Sequence, residues 1–347
     1  MKRHLLFIAA LLIVNLAASA QKKFSVYAVG FYNQENLFDT CHDEGKKDYE
    51  YLPNKGWNGM KYTNKLRNMS KALADMGTDV LPTVGCAFIG LSEVENHKVL
   101  DALVDQAPLK ARNMKYVHIE GPDRRGIDCA LLYNPSLFSV KNVKLLPYVQ
   151  ELAKDSAFFT RGFLTVRGEM AGDDVAVIVC HWPSRFSGPF YRESAARQVK
   201  VIKDSLLNVN QEMKIFVMGD MNDDPVNKSM HVYLQAKPEI SQVGAGDMYN
   251  PWYNVLAKEG KGTLFYSGNW NLFDQIVITP NLLNKDAKKK DYSSLKYWKS
   301  HIFRRDYLIQ QEGQYKGAPL RTTAGGRWLN GYSDHLPVVM YLVKEKK

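Results

Sequence analysis

Short apolar runs of strand length recur along the chain, and many of them stop at a carboxylate, amide or imidazole residue. β-Branched and aromatic residues dominate these runs, which predicts strands at 24–32, 86–92, 127–133, 163–168, 175–180, 215–218, 273–279 and 338–343. Apolar residues at three- and four-residue spacing predict helices at 61–76, 98–106 and 192–207. This mixed order is compatible with two sheets packed face to face under helices, and equally with a three-layer α/β fold.

Six polar segments lie at the ends of these apolar runs. Polar groups at strand ends are how sheets present metal and phosphate chemistry at one edge. A turn or a helix cap would explain any one of these segments, but six in one chain predict a shared site. In chain order they are Asn-Gln-Glu-Asn at 33–36, Glu93, His-Trp-Pro-Ser-Arg at 181–185, Gly-Asp-Met-Asn at 219–222, Asp274, and Ser-Asp-His at 333–335.

In order and chemistry these segments resemble the endonuclease/exonuclease/phosphatase superfamily, the DNase I and exonuclease III group of metal-dependent phosphodiesterases. The segments at 181–185 and 125–128 (Arg-Gly-Ile-Asp) are similar to those of its secreted bacterial members. The resemblance runs from Asn33 to His335 and implies an α/β fold, the DNase I-like four-layer α/β/β/α sandwich of two packed mixed sheets. Gln34 and Cys129 stand where relatives often have valine, away from the predicted chemistry.

The resemblance implies a divalent metal site. Glu93 is the first candidate ligand, and Glu35 and Asp334 would supply further oxygens directly or through water. Hard oxygen ligands select Mg²⁺, with Mn²⁺ or Ca²⁺ as alternatives, and a magnesium site uses only one or two carboxylates beside several waters. For a lone Glu at a strand end, a surface salt bridge is the ordinary alternative.

The resemblance also implies how water and phosphate are handled. Asp220 would orient or deprotonate the attacking water, and two asparagines would hold the phosphate or the water by neutral amide hydrogen bonds. Asp274 would orient His335 and favour its imidazolium beside a phosphate. His181 would donate to the phosphate or to the leaving oxygen. The expected catalytic residues are therefore Asn33, His181, Asp220, Asn222, Asp274 and His335.

Three arginines are expected to bind substrate. A guanidinium fork matches two phosphate oxygens, which makes Arg125, Arg161 and Arg185 candidate phosphate clamps. Structural ion pairing is the alternative for each.

Composition and termini limit the protein class. The chain has 347 residues, of which 45% are hydrophobic and 24% charged, as in an ordinary globular protein. Because the polar segments spread along the chain and must converge, a single domain over 21–347 is favoured. No apolar run after residue 20 is long enough to span a membrane, and a monomer is expected.

Residues 1–20 have the pattern of a secretory signal. Lys2 and Arg3 precede an apolar stretch at 5–16 and the small residues Ala-Ser-Ala at 18–20. A retained anchor is the alternative, but the apolar stretch is shorter than the roughly 20 residues that cross a bilayer. The pattern predicts export to the periplasm or the extracellular space.

The chain is basic, with 46 basic and 36 acidic residues. Without Lys2 and Arg3 the net charge is +8, which fits a polyanionic partner such as nucleic acid or an anionic lipid surface. Solubility alone is the alternative, because the lysines are scattered. The four cysteines show no zinc-ligand spacing, and Cys129 and Cys180 lie in strand-like runs that predict buried free thiols.

Together these features predict a divalent-metal-dependent phosphodiesterase, above all a secreted or periplasmic nuclease that hydrolyses DNA or RNA by in-line attack of water. A lipid or small-molecule phosphohydrolase, of sphingomyelinase-like or inositol-phosphate type, is the alternative enzyme. A binding protein on an inactive core of the same fold is a third hypothesis.

Overall fold

The computed structural model describes residues 23–151, 158–286 and 288–346, so the predicted leader lies outside the described residues. The helices are α1 (Gly59–Asp75), α2 (His97–Val104), α3 (Ala107–Ala111), α4 (Pro189–Val209) and α5 (Tyr253–Glu259). The strands are β1 (Phe24–Leu37), β2 (Phe88–Val94), β3 (Lys115–His118), β4 (Asp128–Tyr133), β5 (Phe138–Leu146), β6 (Phe163–Met170), β7 (Asp173–His181), β8 (Lys214–Asp220), β9 (Ala236–Lys237), β10 (Met248–Tyr249), β11 (Leu264–Tyr266), β12 (Asn269–Asn271), β13 (Asp274–Ile278), β14 (Lys296–Ile302), β15 (Thr323–Ala324), β16 (Arg327–Trp328) and β17 (Val338–Glu345).

Two mixed sheets form the centre of the molecule. The first has the strand order β14-β17-β1-β2-β4-β3, and the second has the order β5-β6-β7-β8-β13-β10-β9. Side chains such as Phe31, Val179 and Met218 fill one apolar core between the sheets. Helices α1 to α3 cover the outer face of the first sheet, and α4 covers the outer face of the second. The four-layer α/β/β/α prediction is confirmed, and the three-layer alternative is wrong.

All eight predicted strands and all three predicted helices are present, with ends that differ by a few residues. Helix α1 begins where the Asn58 side chain accepts a hydrogen bond from the Lys61 amide, a normal N-cap. The strands that the pattern missed lie mainly at sheet edges or in short hairpins. Strand β5 is an example, because its solvent-facing positions interrupt the apolar run.

The buried free thiols predicted at Cys129 and Cys180 are present in the structure. None of the four cysteines forms a disulfide, and Cys129 and Cys180 are buried. In the described ranges, no helix has both the length and the apolar character that crossing a bilayer requires. The segment 280–332 contains β14, which extends the first sheet by pairing with β17.

Two of the parallel strand pairs, β1 with β2 and β7 with β8, determine where polar side chains meet. β1 and β2 are connected through α1, and β7 and β8 through α4. Because side chains alternate between the faces of a strand, the series that buries Phe31 in the inter-sheet core continues to Asn33 at its rim. In the same way the series through Val179 ends at His181, and the series through Met218 ends at Asp220. Both sheets therefore present polar groups at one rim of the shared core.

Candidate active site

Three of the predicted residues lie side by side at the end of the second sheet. His181 is paired in register with Asp220 across β7 and β8, and Asp220 is paired with Asp274 across β8 and β13. Residues opposite each other in a sheet point to the same face. All three side chains therefore face the rim between the sheets, and each is more than nine-tenths buried.

Asp220 lies at the centre of the candidate site. Its Oδ2 accepts a hydrogen bond of 3.0 Å from the Asn33 side-chain amide, which comes from the opposite sheet. The Nε2 atoms of His181 and His335 lie 3.6 and 3.9 Å from the same oxygen. Burial raises the pKa of Asp220 to about 7, with His335 acting against the shift and Asp274 adding to it. Asp220 is thus a carboxylate that exchanges its proton near neutral pH.

The two histidines have opposite protonation tendencies. Burial acts to lower the pKa of His335, but the carboxylates of Asp274 and Asp220 outweigh it and raise that pKa well above the ordinary value. Burial lowers the pKa of His181 well below the ordinary value, and the positive charges of Arg161, Arg125 and His335 lower it further. Groups whose pKa values are separated by their surroundings can take different acid–base roles. His335 is the imidazolium of the pair, and His181 is the neutral ring.

Hydrogen bonds fix the position of His335. Its Nδ1 lies 2.7 Å from Oδ2 of Asp274, whose side chain is fully buried. The Ser333 hydroxyl accepts from the His335 amide and donates to the backbone carbonyl of Asn33. The Ser-Asp-His segment therefore joins β1 of the first sheet to β13 of the second, across the rim that separates them.

Backbone irregularities direct several site residues into the rim. Glu35, Glu93 and Asn222 all have left-handed backbone conformations, with φ values of 46°, 60° and 49°. Two of them lie where the pairing of β1 with β2, and of β2 with β4, shifts register. A left-handed conformation costs a non-glycine residue about 1–2 kcal/mol, and bulges re-aim side chains next to active sites. Two of these three residues, Glu35 and Glu93, are predicted metal ligands, and Asn222 is a predicted catalytic residue.

The predicted metal ligands differ in how much of each carboxylate is occupied. Glu93 Oε2 accepts from the Asn36 amide at 2.9 Å, while its Oε1 lies 3.8 Å from His181 Nε2. Glu35 is held at both oxygens, by the Thr322 amide and by Arg321 Nε. Burial, with the charge of Asp334, raises the pKa of Glu35 to about 7.

The donor set leaves carboxylate oxygens open to a divalent metal that is held mainly by water. Across the described ranges, no three His, Cys, Asp or Glu side chains are grouped so that they hold a metal ion together. Oε1 of Glu93 and Oδ1 of Asp334, however, accept no hydrogen bond from any described residue. One or two open carboxylate oxygens beside several waters is the arrangement Mg²⁺ uses. Glu93 and Asp334 match that need better than Glu35, whose oxygens are occupied.

Sequence reasoning missed Arg321 and Lys65. Arg321 reaches both Glu35 and Asp334, at 3.2 and 3.0 Å. Lys65, fully buried on α1, donates to the Thr322 hydroxyl and to a backbone carbonyl. Desolvation lowers the pKa of Lys65 to about 8 in spite of Glu35 nearby. Arg321 follows no recognisable pattern in the sequence, whereas the buried face of the predicted helix at 61–76 could have drawn attention to Lys65.

The remaining amide and the three arginines are engaged within the protein to different degrees. Asn222 donates to the Trp182 carbonyl at 3.0 Å, so one of its amide protons is occupied. Arg161 is buried and pairs with Asp123 at 2.8 Å, which favours the structural ion pair over a phosphate clamp. Arg185 pairs with Asp224 and contacts the Asn222 carbonyl. Arg125 is exposed and donates a hydrogen bond to the Asn36 side chain, beside Glu93. Of the three arginines it fits a phosphate clamp best.

The chain belongs to the endonuclease/exonuclease/phosphatase family, whose model matches residues 28–344. Members of this family are generally phosphoester hydrolases that typically use divalent metals. No curated protein shows significant similarity to the chain.

Solved structures share the fold at low sequence identity. A family member from Bacteroides thetaiotaomicron is 14% identical with a TM-score of 0.55, over 93% of this chain and 97% of that one. A mannosyl-6-phosphatase from the same species is 14% identical with a TM-score of 0.55, over 91% and 99%. D. rerio TDP2 in complex with a single-strand DNA product is 11% identical with a TM-score of 0.52, over 92% and 99%.

Proposed function

We propose that this protein is a divalent-metal-dependent phosphodiesterase, and specifically a nuclease that cleaves DNA or RNA by in-line attack of water. One observation carries the proposal: Asn33, His181 and His335, from three separate segments, converge on a single oxygen of Asp220. A buried carboxylate flanked by a charged and a neutral imidazole has the acid–base range that phosphoester hydrolysis needs.

Each residue has a distinct task in this reaction. Asp220 takes a proton from the water that attacks phosphorus, and the Asn33 amide keeps its carboxylate in position. The His335 imidazolium, held by Asp274, stabilises negative charge on the phosphoryl oxygens. His181 donates a hydrogen bond from its neutral ring to the leaving oxygen, whose bond to phosphorus breaks as the water attacks. The leaving oxygen takes up a proton from solvent, and Asp220 returns the proton of the attacking water to solvent. A divalent cation, held by Glu93 and Asp334, would neutralise further phosphoryl charge.

A lipid or small-molecule phosphohydrolase is the second candidate. The internal engagement of Arg161 and Arg185 favours it, because both guanidinium groups have partners within the protein. The hairpin beside the site argues against a lipid surface. Its turn is Tyr-Ser-Gly-Asn at 266–269, which offers a single aromatic ring rather than an apolar patch.

Export completes the proposal. The leader pattern at 1–20 supports a periplasmic or extracellular enzyme, and the net charge of the remainder supports an anionic substrate. Fractionation of the producing cells, with size-exclusion chromatography of the recovered protein, tests this location and the expected monomer. Protein that stays in the cytoplasm with residues 1–20 uncleaved contradicts it.

Hydrolysis by the purified chain without residues 1–20 tests the function. The substrates are plasmid DNA, RNA, sphingomyelin and bis(p-nitrophenyl) phosphate, each with Mg²⁺, Mn²⁺, Ca²⁺ or EDTA, and the controls are Glu93→Ala and His335→Ala. Metal-dependent cleavage of DNA or RNA that both variants lose supports the nuclease. Turnover of sphingomyelin or the small diester alone supports the second candidate, and inactivity on all four supports the binding protein.

A further inference from the structure

The β-hairpin of β11 and β12 lies directly beside His335, the imidazolium of the candidate site. Leu264 at the start of the hairpin makes an isolated β-bridge with His335. The Leu336 amide donates to the Thr263 carbonyl at 2.8 Å, and the Asp274 amide contacts the Thr263 hydroxyl at 3.4 Å. The hairpin is therefore fixed relative to the candidate active site.

Two cavities lie between this hairpin and the segment 310–324. The first has a volume of about 770 Å³ and is bordered by Asp334 and Arg321 of the candidate active site. The second, of about 490 Å³, lies further along the hairpin and reaches Trp270. Phe265 and Tyr315 line both cavities, so the two adjoin, and Asp334 borders the first of them; together they are called the groove below.

Aromatic rings are spaced along this groove. Phe265 and Trp270 face each other across the hairpin with ring centroids 5.2 Å apart, which holds both rings in place. Tyr266 and Tyr315 are 64% and 53% exposed. Stacking on exposed aromatic rings is how proteins hold unpaired bases without regard to sequence.

The far part of the groove is basic. Lys261, Arg304 and Lys316 line it together with one acid, Glu259, which pairs with Lys261 at 2.8 Å. Arg304 donates to the Gly317 carbonyl, and no described carboxylate forms an ion pair with Arg304 or Lys316. Cations beside aromatic rings along a channel suit a chain of phosphates with bases attached.

We propose that this groove binds the single-stranded oligonucleotide that continues from the scissile phosphate, with bases on Tyr266 and Tyr315 and a following phosphate near Arg304 and Lys316. The inference rests on the proposed nuclease function and names its substrate as an unpaired strand. A sugar monophosphate would fill only the end beside Asp334. A lipid tail would require a continuous apolar wall, which the charged residues of the second cavity interrupt.

Binding in EDTA tests the groove apart from hydrolysis. The probe is a fluorescently labelled single-stranded 12-mer followed by anisotropy at several salt concentrations. Tyr266→Ala is expected to weaken binding roughly tenfold, the effect of losing one base stack. Lys316→Ala is expected to lower the slope of log affinity against log salt by about 0.7, the loss of one phosphate contact. Phe24→Ala, at the opposite end of β1, and Lys115→Ala, on β3 at the far edge of the first sheet, should bind as the wild type does.

Kinetics provide the second measurement. The ratio of kcat/KM for the 12-mer to that for bis(p-nitrophenyl) phosphate should fall about tenfold in Tyr266→Ala. Unchanged binding and an unchanged ratio in both groove variants would overturn the groove while leaving the phosphodiesterase proposal intact. Binding that depends on Tyr266 and Lys316 in a protein that hydrolyses nothing would overturn the function and support the groove. Tyr266-dependent binding to sphingomyelin–phosphatidylcholine vesicles, without oligonucleotide binding, would overturn the proposal that the groove holds a single-stranded oligonucleotide.

Discussion

Oδ2 of Asp274 lies 2.7 Å from Nδ1 of His335, and the charge of Asp274 is the largest influence raising the pKa of that imidazole. Asp274→Asn removes that charge and should lower the pKa of His335, so that a smaller fraction of the ring is imidazolium at pH 7. We expect kcat to fall by about 10²–10⁴-fold, because a neutral imidazole stabilises phosphoryl charge poorly. The kinetics on bis(p-nitrophenyl) phosphate and an NMR titration of His335 measure the two effects. Asp291→Asn, on an exposed loop, is the matched control, and a variant that keeps both kcat and the imidazolium contradicts the role.

The raised pKa of Asp220 predicts the pH dependence of hydrolysis. Below about pH 7 this carboxyl is protonated and cannot accept a proton from water. We therefore expect log kcat/KM to rise with pH up to about 7 and then to level off. Asp220→Asn should lack this rise and retain only residual activity. If log kcat/KM instead rises around pH 4, or if the rise persists in Asp220→Asn, the general base is a group other than Asp220.

Glu93 should govern metal binding. Glu93→Gln keeps the size and one acceptor oxygen for the Asn36 amide but removes the charge. In the wild type, Mg²⁺ should raise Tm, since a ligand that binds only the folded state stabilises it. The shift should be lost in Glu93→Gln, and calorimetry should show much weaker Mg²⁺ binding. An equal Tm shift in both proteins would place the metal elsewhere.

Arg161 and Arg125 should behave differently when removed. Arg161→Ala leaves the buried Asp123 without its partner, and we expect the free energy of unfolding to fall by about 3–5 kcal/mol. Arg125→Ala, at an exposed position, should change stability by less than about 0.5 kcal/mol and raise KM instead. Urea unfolding and steady-state kinetics on both variants separate the effects. A stable Arg161→Ala protein with raised KM would restore Arg161 as a phosphate clamp.

Glu95 should make stability depend on pH. Burial, partly offset by the hydrogen bond from the Asp39 amide, raises its pKa to about 8 from 4.5. Between about pH 4.5 and 8 the folded state therefore keeps a proton on Glu95 that the unfolded state releases. The contribution of neutral Glu95 to the free energy of unfolding is full below about pH 4.5 and is lost as pH rises from there through 8. Glu95→Gln stays neutral and should be more stable than the wild type at pH 9 by about 1–3 kcal/mol. Equal urea midpoints at pH 9 would show that Glu95 ionises without cost.

Sequence alternation accounts for much of the fold. The apolar runs predict the central strands. Side-chain alternation places Asn33 and Asp220 on the same strand faces as Phe31 and Met218, at the rim of the core between the sheets. Edge strands such as β5 and β14 were missed because half of each faces water and their polar residues interrupt the pattern. A strand at an edge is defined by the neighbour it pairs with, which local sequence does not reveal.

The sequence by itself determined the residue types of the site, the order of its segments and the family. The tertiary structure alone decided which atoms meet. Arg321 joins Glu35 to Asp334, and Arg161 turns inward to Asp123, through contacts between residues far apart in the chain. The tertiary structure also moves the pKa values of His181 and His335 in opposite directions, since each depends on burial and on charges from other strands. Local pattern cannot encode these properties, because burial and electrostatic field arise only when the two sheets pack together.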